Sequence, residues 1–225
     1  MAKNNNYVTK KSEALKHQKE QRLKAKQLRN KTLLFIAISL FVIGIFILII
    51  GACLGWFSNN KDIYAPTHYA TIEVEDYGVI ELELYGNLAP ETVENFVKLA
   101  NDGYYDGLTF HRIIEDFMAQ GGRGTGAKNI KGEFALNGFE NPLSHTRGVI
   151  SMARSNSYDS ASSQFFIMHK DRPNLDGKYA GFGRVIKGIE VVDKICAEAK
   201  PIDNNGTIAG VDQPVIKSIR TREAN

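Results

Sequence analysis

Residues 33 to 57 read LLFIAISLFVIGIFILIIGACLGWF, a run of 25 residues without one charge. As an α-helix it would extend about 37 Å, enough for a hydrocarbon core of roughly 30 Å with some tilt. Trp56, the only tryptophan, stands at its far end, where an amphipathic ring suits a membrane interface. No second run is long enough to span, so a polytopic membrane protein is excluded.

Charge divides about this run. Residues 1–31 carry ten Lys/Arg against Glu13 and Glu20, a net +8, and the rest of the chain holds 18 basic and 23 acidic residues, a net −5. The formal +3 therefore describes neither part. The basic lead directly before the run places the N-terminus in the cytoplasm and the residues after the run outside. A nucleic-acid partner is not expected, because the tail lacks interleaved aromatics. A cleaved signal peptide would have a shorter lead and a shorter apolar region. A lipoprotein signal stays open as the alternative, since Ile50-Gly51-Ala52-Cys53 resembles a lipobox with lipidation at Cys53. Gly51 and Gly55 form a G-x-x-x-G that permits close helix pairing.

The expected division is a basic cytoplasmic tail over 1–32, a transmembrane helix over 33–57 in contact with membrane lipid, a linker over 58–67 and one folded domain over 68–225. With 43% hydrophobic and 10% aromatic residues the chain can fill a core, which excludes disorder throughout. Two cysteines exclude a disulfide scaffold. Ala70, Ile72 and Val74 alternate with polar residues, and after a turn at Asp76-Tyr77-Gly78 so do Ile80, Leu82 and Leu84, which predicts a hairpin with one buried face. Pro90 opens a helix with a stripe at Val93, Phe96, Val97 and Ala100, closed by Gly103. Strand-like runs lie at 109–114, 149–153, 164–169, 180–186 and 215–219, and a second helix at 189–199. Asp176-Gly177 is read as a hairpin turn. Short strands, two helices and 17 glycines after residue 67 suggest a closed antiparallel β-barrel capped by helices.

Three stretches concentrate unusual residues. They are Phe110-His111-Arg112-Ile113-Ile114-Glu115-Asp116-Phe117-Met118-Ala119-Gln120-Gly121-Gly122, Ser163-Gln164-Phe165-Phe166-Ile167, and Asn174-Leu175-Asp176-Gly177-Lys178-Tyr179-Ala180-Gly181-Phe182-Gly183. Together they closely resemble the cyclophilin family of peptidyl-prolyl cis-trans isomerases, over residues 69–220. The resemblance implies a mainly β, cyclophilin-like closed barrel and noncovalent catalysis without cofactor or metal. Its partners would be proline-containing proteins or peptides. Arg112 would be the catalytic donor. Phe117, Met118, Phe166 and Leu175 would line a socket for the proline ring. Gln120 would hydrogen-bond the arginine and the substrate. His111, Ala153, Arg154, Gln164 and Tyr179 match further substrate-contacting positions.

The chemistry agrees with that assignment. Rotation about an X-Pro bond destroys amide resonance, so the twisted nitrogen becomes pyramidal and gains a basic lone pair. A fixed cationic donor aimed there favours the transition state over either planar form. Asn174 stands where some members carry a tryptophan used in cyclosporin binding, so weak affinity for that drug is expected. Residues 154–162 depart from the family's loop, and Gly124 and Thr125 align with its pocket rim. Gly122-Arg123-Gly124-Thr125-Gly126-Ala127 fits a nucleotide-binding pattern but lacks the helix that should come next. No Ser-His-Asp arrangement stands out, which disfavours a hydrolase. Cys196 is expected to be buried. Asn205-Gly206-Thr207 is a glycosylation sequon. The alternative function is a noncatalytic binding module or chaperone for proline segments.

Overall fold

The computed structural model describes residues 62–224 and six isolated helical residues before them, Arg22, Lys26, Leu33, Ser39, Phe41 and Ile45. The chain divides into two compact units, Met1–Lys61 and Asp62–Asn225. The rest of the basic tail and of the apolar run, Cys53 and residues 58–61 lie outside the described residues. Among the described residues no helix is long and apolar enough to cross a membrane.

Alternation of apolar and polar side chains builds the second unit. β1 (His68–Val74) and β2 (Gly78–Leu84) form the expected hairpin, with Ala70, Ile72, Val74, Ile80, Leu82 and Leu84 all buried. Asp76 and Gly78 carry the left-handed backbone of its turn. Helix α1 (Pro90–Asn101) comes next and packs on the final strand. Then come β3 (Phe110–Ile114), β4 (Met118–Gly121), β5 (Val149–Met152), β6 (Phe165–Met168), β7 (Gly181–Lys187), α2 (Ile189–Glu198) and β8 (Ile216–Glu223). The eight strands form one antiparallel sheet in the order β3-β4-β6-β5-β7-β2-β1-β8. Register shifts in four of its seven ladders bend it. The inner face closes over a T-shaped aromatic cluster, in which Phe165 meets Phe96, Tyr105 and Phe110 edge-on.

The expectation of a closed barrel is corrected: the sheet is open, with β3 and β8 at its edges. These edges meet around a bridge between Thr109 and Val215, where Phe110 N–H donates to Pro214 O at 2.9 Å, Ile216 N–H to Leu108 O at 2.7 Å and Gly107 N–H to Ile216 O at 2.8 Å. Further along β3 the edge is already taken. Ile113 N–H donates to Gly206 O at 2.8 Å, and Ile208 N–H donates to His111 O at 3.1 Å. The loop before β8, rather than β8 itself, therefore covers that edge. Asp176-Gly177 is likewise no hairpin turn. It lies in the connection from β6 to β7, which are not neighbours because β5 separates them. β4, too short to show alternation, is an element the sequence pattern did not reveal.

Strand β6 is buried along its whole length. Phe165 and Ile167 face the main core. Phe166 and Met168 face outward into a smaller cluster with Met118 and Val149, against which Phe117, Leu175 and Tyr179 pack. This apolar layer on the outer face of the sheet carries the site.

Candidate active site

Arg112, Phe117, Met118, Gln120, Ala153, Arg154, Phe166, Leu175 and Tyr179 line one cavity of about 130 Å³. They come from β3, β4, β6 and three loops, so only the folded sheet assembles them. Met118 and Gln120 are two apart on β4 and share a face. Phe166 is the antiparallel partner of Gln120 and closes the floor, with the Tyr179 ring edge-on to it at 5.7 Å. A second, polar hollow of about 270 Å³ shares Gln120, Ala153 and Arg154 and adds Gln164 with three serines. Gly124 and Thr125 line neither hollow.

The ladder between β3 and β4 shifts register between Phe110 and Arg112, an irregularity of the kind that re-aims a side chain. Arg112 is held at two points. Its Nε donates to Asn205 O at 2.7 Å, and Nη1 donates to Gln120 Oε1 at 3.3 Å with Met118 Sδ at 4.0 Å. Gln120 in turn donates to Gln164 Oε1 at 3.0 Å. Among the described residues Nη2 has no hydrogen-bond partner. Burial lowers the Arg112 pKa from its ordinary value, against the opposing influence of Tyr179 and Asp203. An arginine so placed keeps its charge, because its unperturbed pKa is far above neutrality.

Arg154 lies at the boundary of the two hollows. Its guanidinium sits 4.7 Å from the Tyr179 ring centroid and 5.0 Å from those of Phe134 and Tyr158, while Nε and Nη2 donate to Lys178 O. His111 does not line either hollow. It is 4% exposed, and neither ring nitrogen has a hydrogen-bond partner. Burial, helped by the charges of Arg123 and Arg112 and opposed by the nearby Thr109 backbone and Gln164 side chain, lowers its pKa to about 4.

Two features escaped sequence reasoning. One is the grip of the sequon's Asn205 on Arg112, foreshadowed only by the turn-forming run Asp203-Asn204-Asn205-Gly206. The other is a Ser-His-Asp set that does not stand out in the sequence. Asp176 Oδ1 lies 2.9 Å from His145 Nδ1, and His145 Nε2 lies 3.0 Å from Ser151 Oγ. Chain separation hid this set, since Asp176 comes 31 residues after His145. Ser151 and His145 are both fully buried, and the His145 ring stacks on Phe166. The trio supports the cavity floor from behind and presents no accessible nucleophile. Cys196 is buried as expected, and burial pushes its thiol up to about 12. Among the described residues no three His, Cys, Asp or Glu side chains are grouped to hold a metal ion.

The sequence and the fold have counterparts among known proteins. Residues 69–220 match the family described as cyclophilin type peptidyl-prolyl cis-trans isomerase/CLD. The chain is 47% identical over 119 residues to peptidyl-prolyl cis-trans isomerase B of Bacillus subtilis, covering 52% of this chain and 82% of that protein. It is also 47% identical over 144 residues to the peptidyl-prolyl cis-trans isomerase of Helicobacter pylori, covering 60% of this chain and 85% of that one. The fold is similar to a Cryptosporidium parvum cyclophilin crystallised in the presence of the dipeptide Ala-Pro. There the TM-score is 0.59 and the identity 28%, over 70% of this chain and 99% of the other. The family match covers both helices and every residue of the cavity, and the chain belongs to the cyclophilin-type peptidyl-prolyl cis-trans isomerase family.

Proposed function

We propose that this chain accelerates X-Pro isomerisation in proteins outside the cytoplasmic membrane, assisting their folding, from a single-pass anchor at residues 33–57. The observation that carries the enzymatic part is the two-point clamp on Arg112 at the edge of an apolar cavity. A proline ring entering between Phe117, Met118, Phe166 and Leu175 leaves water, and its amide nitrogen then stands near a cation that is already oriented. As the amide twists, the nitrogen lone pair gains a donor, and the planar forms gain less. No covalent bond is made or broken. Gln120 and Gln164 extend the polar chain toward the neighbouring hollow, where the residues before proline would lie.

A module that only holds proline segments is the second reading. It is disfavoured by Arg112, because a simple holding site gains nothing from a half-buried, two-point-clamped cation beside the socket. The membrane placement draws on the uncharged run and the +8 lead before it. The same lead would lie along anionic lipid, each charge contributing about 1 kcal/mol. Weak cyclosporin affinity belongs to the same reading, since Asn174 is exposed and offers no indole.

The test is the isomerisation rate of a proline tetrapeptide with the full chain and with Arg112→Ala. Loss of one preorganised donor is expected to lower kcat/KM by about 100-fold. Equal rates for the two proteins would remove Arg112 from catalysis, and no activity in the intact chain would leave the holding module.

A further inference from the structure

The loop between α2 and β8 is where the clamp on Arg112 originates, and its shape depends on one exposed side chain. Asp203 Oδ1 accepts the N–H of Asn205 at 2.9 Å and the N–H of Thr207 at 3.0 Å. Its own carbonyl accepts Gly206 N–H at 3.2 Å. One aspartate thereby ties down three consecutive backbone donors, a compact Asx-type turn. The turn is pressed hard against β3. Gly206 has a φ of +81°, and a Cβ there would meet Ile114 Cγ1 at 2.4 Å and Ile113 O at 2.5 Å. Gly206 O accepts Ile113 N–H and Ile208 N–H donates to His111 O, on either side of Arg112, and Thr207 stands opposite Arg112 itself. The carbonyl of Asn205 faces Arg112 Nε at 2.7 Å.

We infer that Asp203 is a positioning residue for Arg112: it folds the 203–207 turn so that the Asn205 carbonyl fixes Nε and leaves the rest of the guanidinium to the substrate. Three further points carry this. Asp203 is exposed and outside both hollows, so it serves neither the core nor the substrate. Its carboxyl is held below its ordinary range by the backbone and hydroxyl donors of Thr207 and the N–H groups of Asn205 and Gly206, so it is ionised at neutral pH. It also favours the charged state of Arg112, against burial. Without the carboxylate, the N–H groups of Asn205 and Thr207 lose their acceptor and turn to water. The Asn205 carbonyl then has no fixed place, and the guanidinium swings from one remaining point at Gln120. A misplaced donor harms the twisted state more than the bound planar one, so the effect falls on kcat rather than KM.

The inference rests on Arg112 serving the isomerisation, and the experiment separates the two ideas. In the full chain, kcat and KM are measured for the wild type, Asp203→Ala and Asp203→Asn, and the Arg112 Nε–H resonance is tracked by NMR. Asp203→Ala is expected to lower kcat about tenfold with KM within about twofold, and to move the Nε–H resonance toward that of a solvated arginine. Asp203→Asn keeps an Oδ1 acceptor and is expected to recover at least about half of the loss. An unmoved resonance, an effect confined to KM, or an Asn variant as poor as the Ala variant overturns the inference. Failure of Asp203→Ala to fold overturns it too, since Asp203 would then hold the domain rather than the turn. A wild type without isomerase activity, combined with a moved resonance, sinks the catalytic reading and leaves the positioning standing.

Discussion

Two consecutive residues on β3 meet opposite electrostatic fates. Arg112 gains a carbonyl, an amide oxygen and a nearby carboxylate, and remains a cation. His111 is buried beside two positive charges, which outweigh the opposing pull of Thr109 and Gln164, so its neutral form is favoured down to about pH 4. An unfolded histidine takes its proton near pH 6.5. The folded state therefore binds fewer protons between those values. The contribution of His111 to stability is complete above pH 6.5 and is lost as the pH falls toward 4. The His111 ring C2–H resonance should titrate with a midpoint near 4 in the folded chain. A midpoint at about 6 or above would show that the ring is hydrated, and the assignment of a dry, neutral histidine would fail. Such a histidine shapes the site by packing, which no spacing rule reveals. The arginine was legible because it lies in a dense run with Phe117, Met118 and Gln120. Its Asn205 clamp was not, because the partner lies 93 residues further on and offers only a backbone carbonyl.

At the scale of elements, the helix and strands that bury one face were legible, and those whose ends depend on distant partners were not. The stripe of Val93, Phe96 and Ala100 placed α1 correctly after Pro90. Its N-terminus, however, has no side-chain cap from its own chain neighbourhood, since Ala89 holds the cap position. The cap comes from Glu133, 2% exposed, whose Oε1 accepts Glu91 N–H at 3.0 Å and whose Oε2 accepts Thr92 N–H at 2.8 Å. A carboxylate there satisfies two orphan donors and meets the positive end of the helix. Glu133→Ala should cost about 1–2 kcal/mol, which in a domain of this size lowers the unfolding midpoint by roughly 3–6 °C. Glu133→Gln, with a single acceptor oxygen, should fall between. Differential scanning calorimetry checks both, and a midpoint unchanged within about a degree would mean that water caps this helix equally well. The open edge of the sheet has the same origin. Nothing in the alternation of residues 109–114 or 215–219 says that the Gly206 turn will occupy the edge of β3 before β8 can.

For the molecule as a whole, the segregation of charge is the feature that sequence alone makes legible, and it bears on where the cavity works. The described unit carries an apolar socket fit for proline segments of many proteins, and nothing in its lining selects a compartment. Placement therefore rests on the uncharged run and the charge before it. If residues 33–57 anchor the chain with the basic lead inside, three outcomes should be seen together. Alkaline carbonate should leave the full chain in the membrane fraction, because a spanning helix is held by its apolar surface and not by charge. Protease added outside intact spheroplasts should degrade the part carrying β1 to β8, while an epitope at the N-terminus stays protected. Mass spectrometry of the mature protein should recover the lead with all ten of its basic residues. Recovery of a chain that begins at a lipid-bearing Cys53 would replace the spanning helix with a lipid anchor. Release by carbonate would remove the spanning anchor, and protection of the domain with exposure of the epitope would remove the extracytoplasmic placement. The isomerase site would then act on substrates of the cytoplasm, with the same residues and a different set of clients.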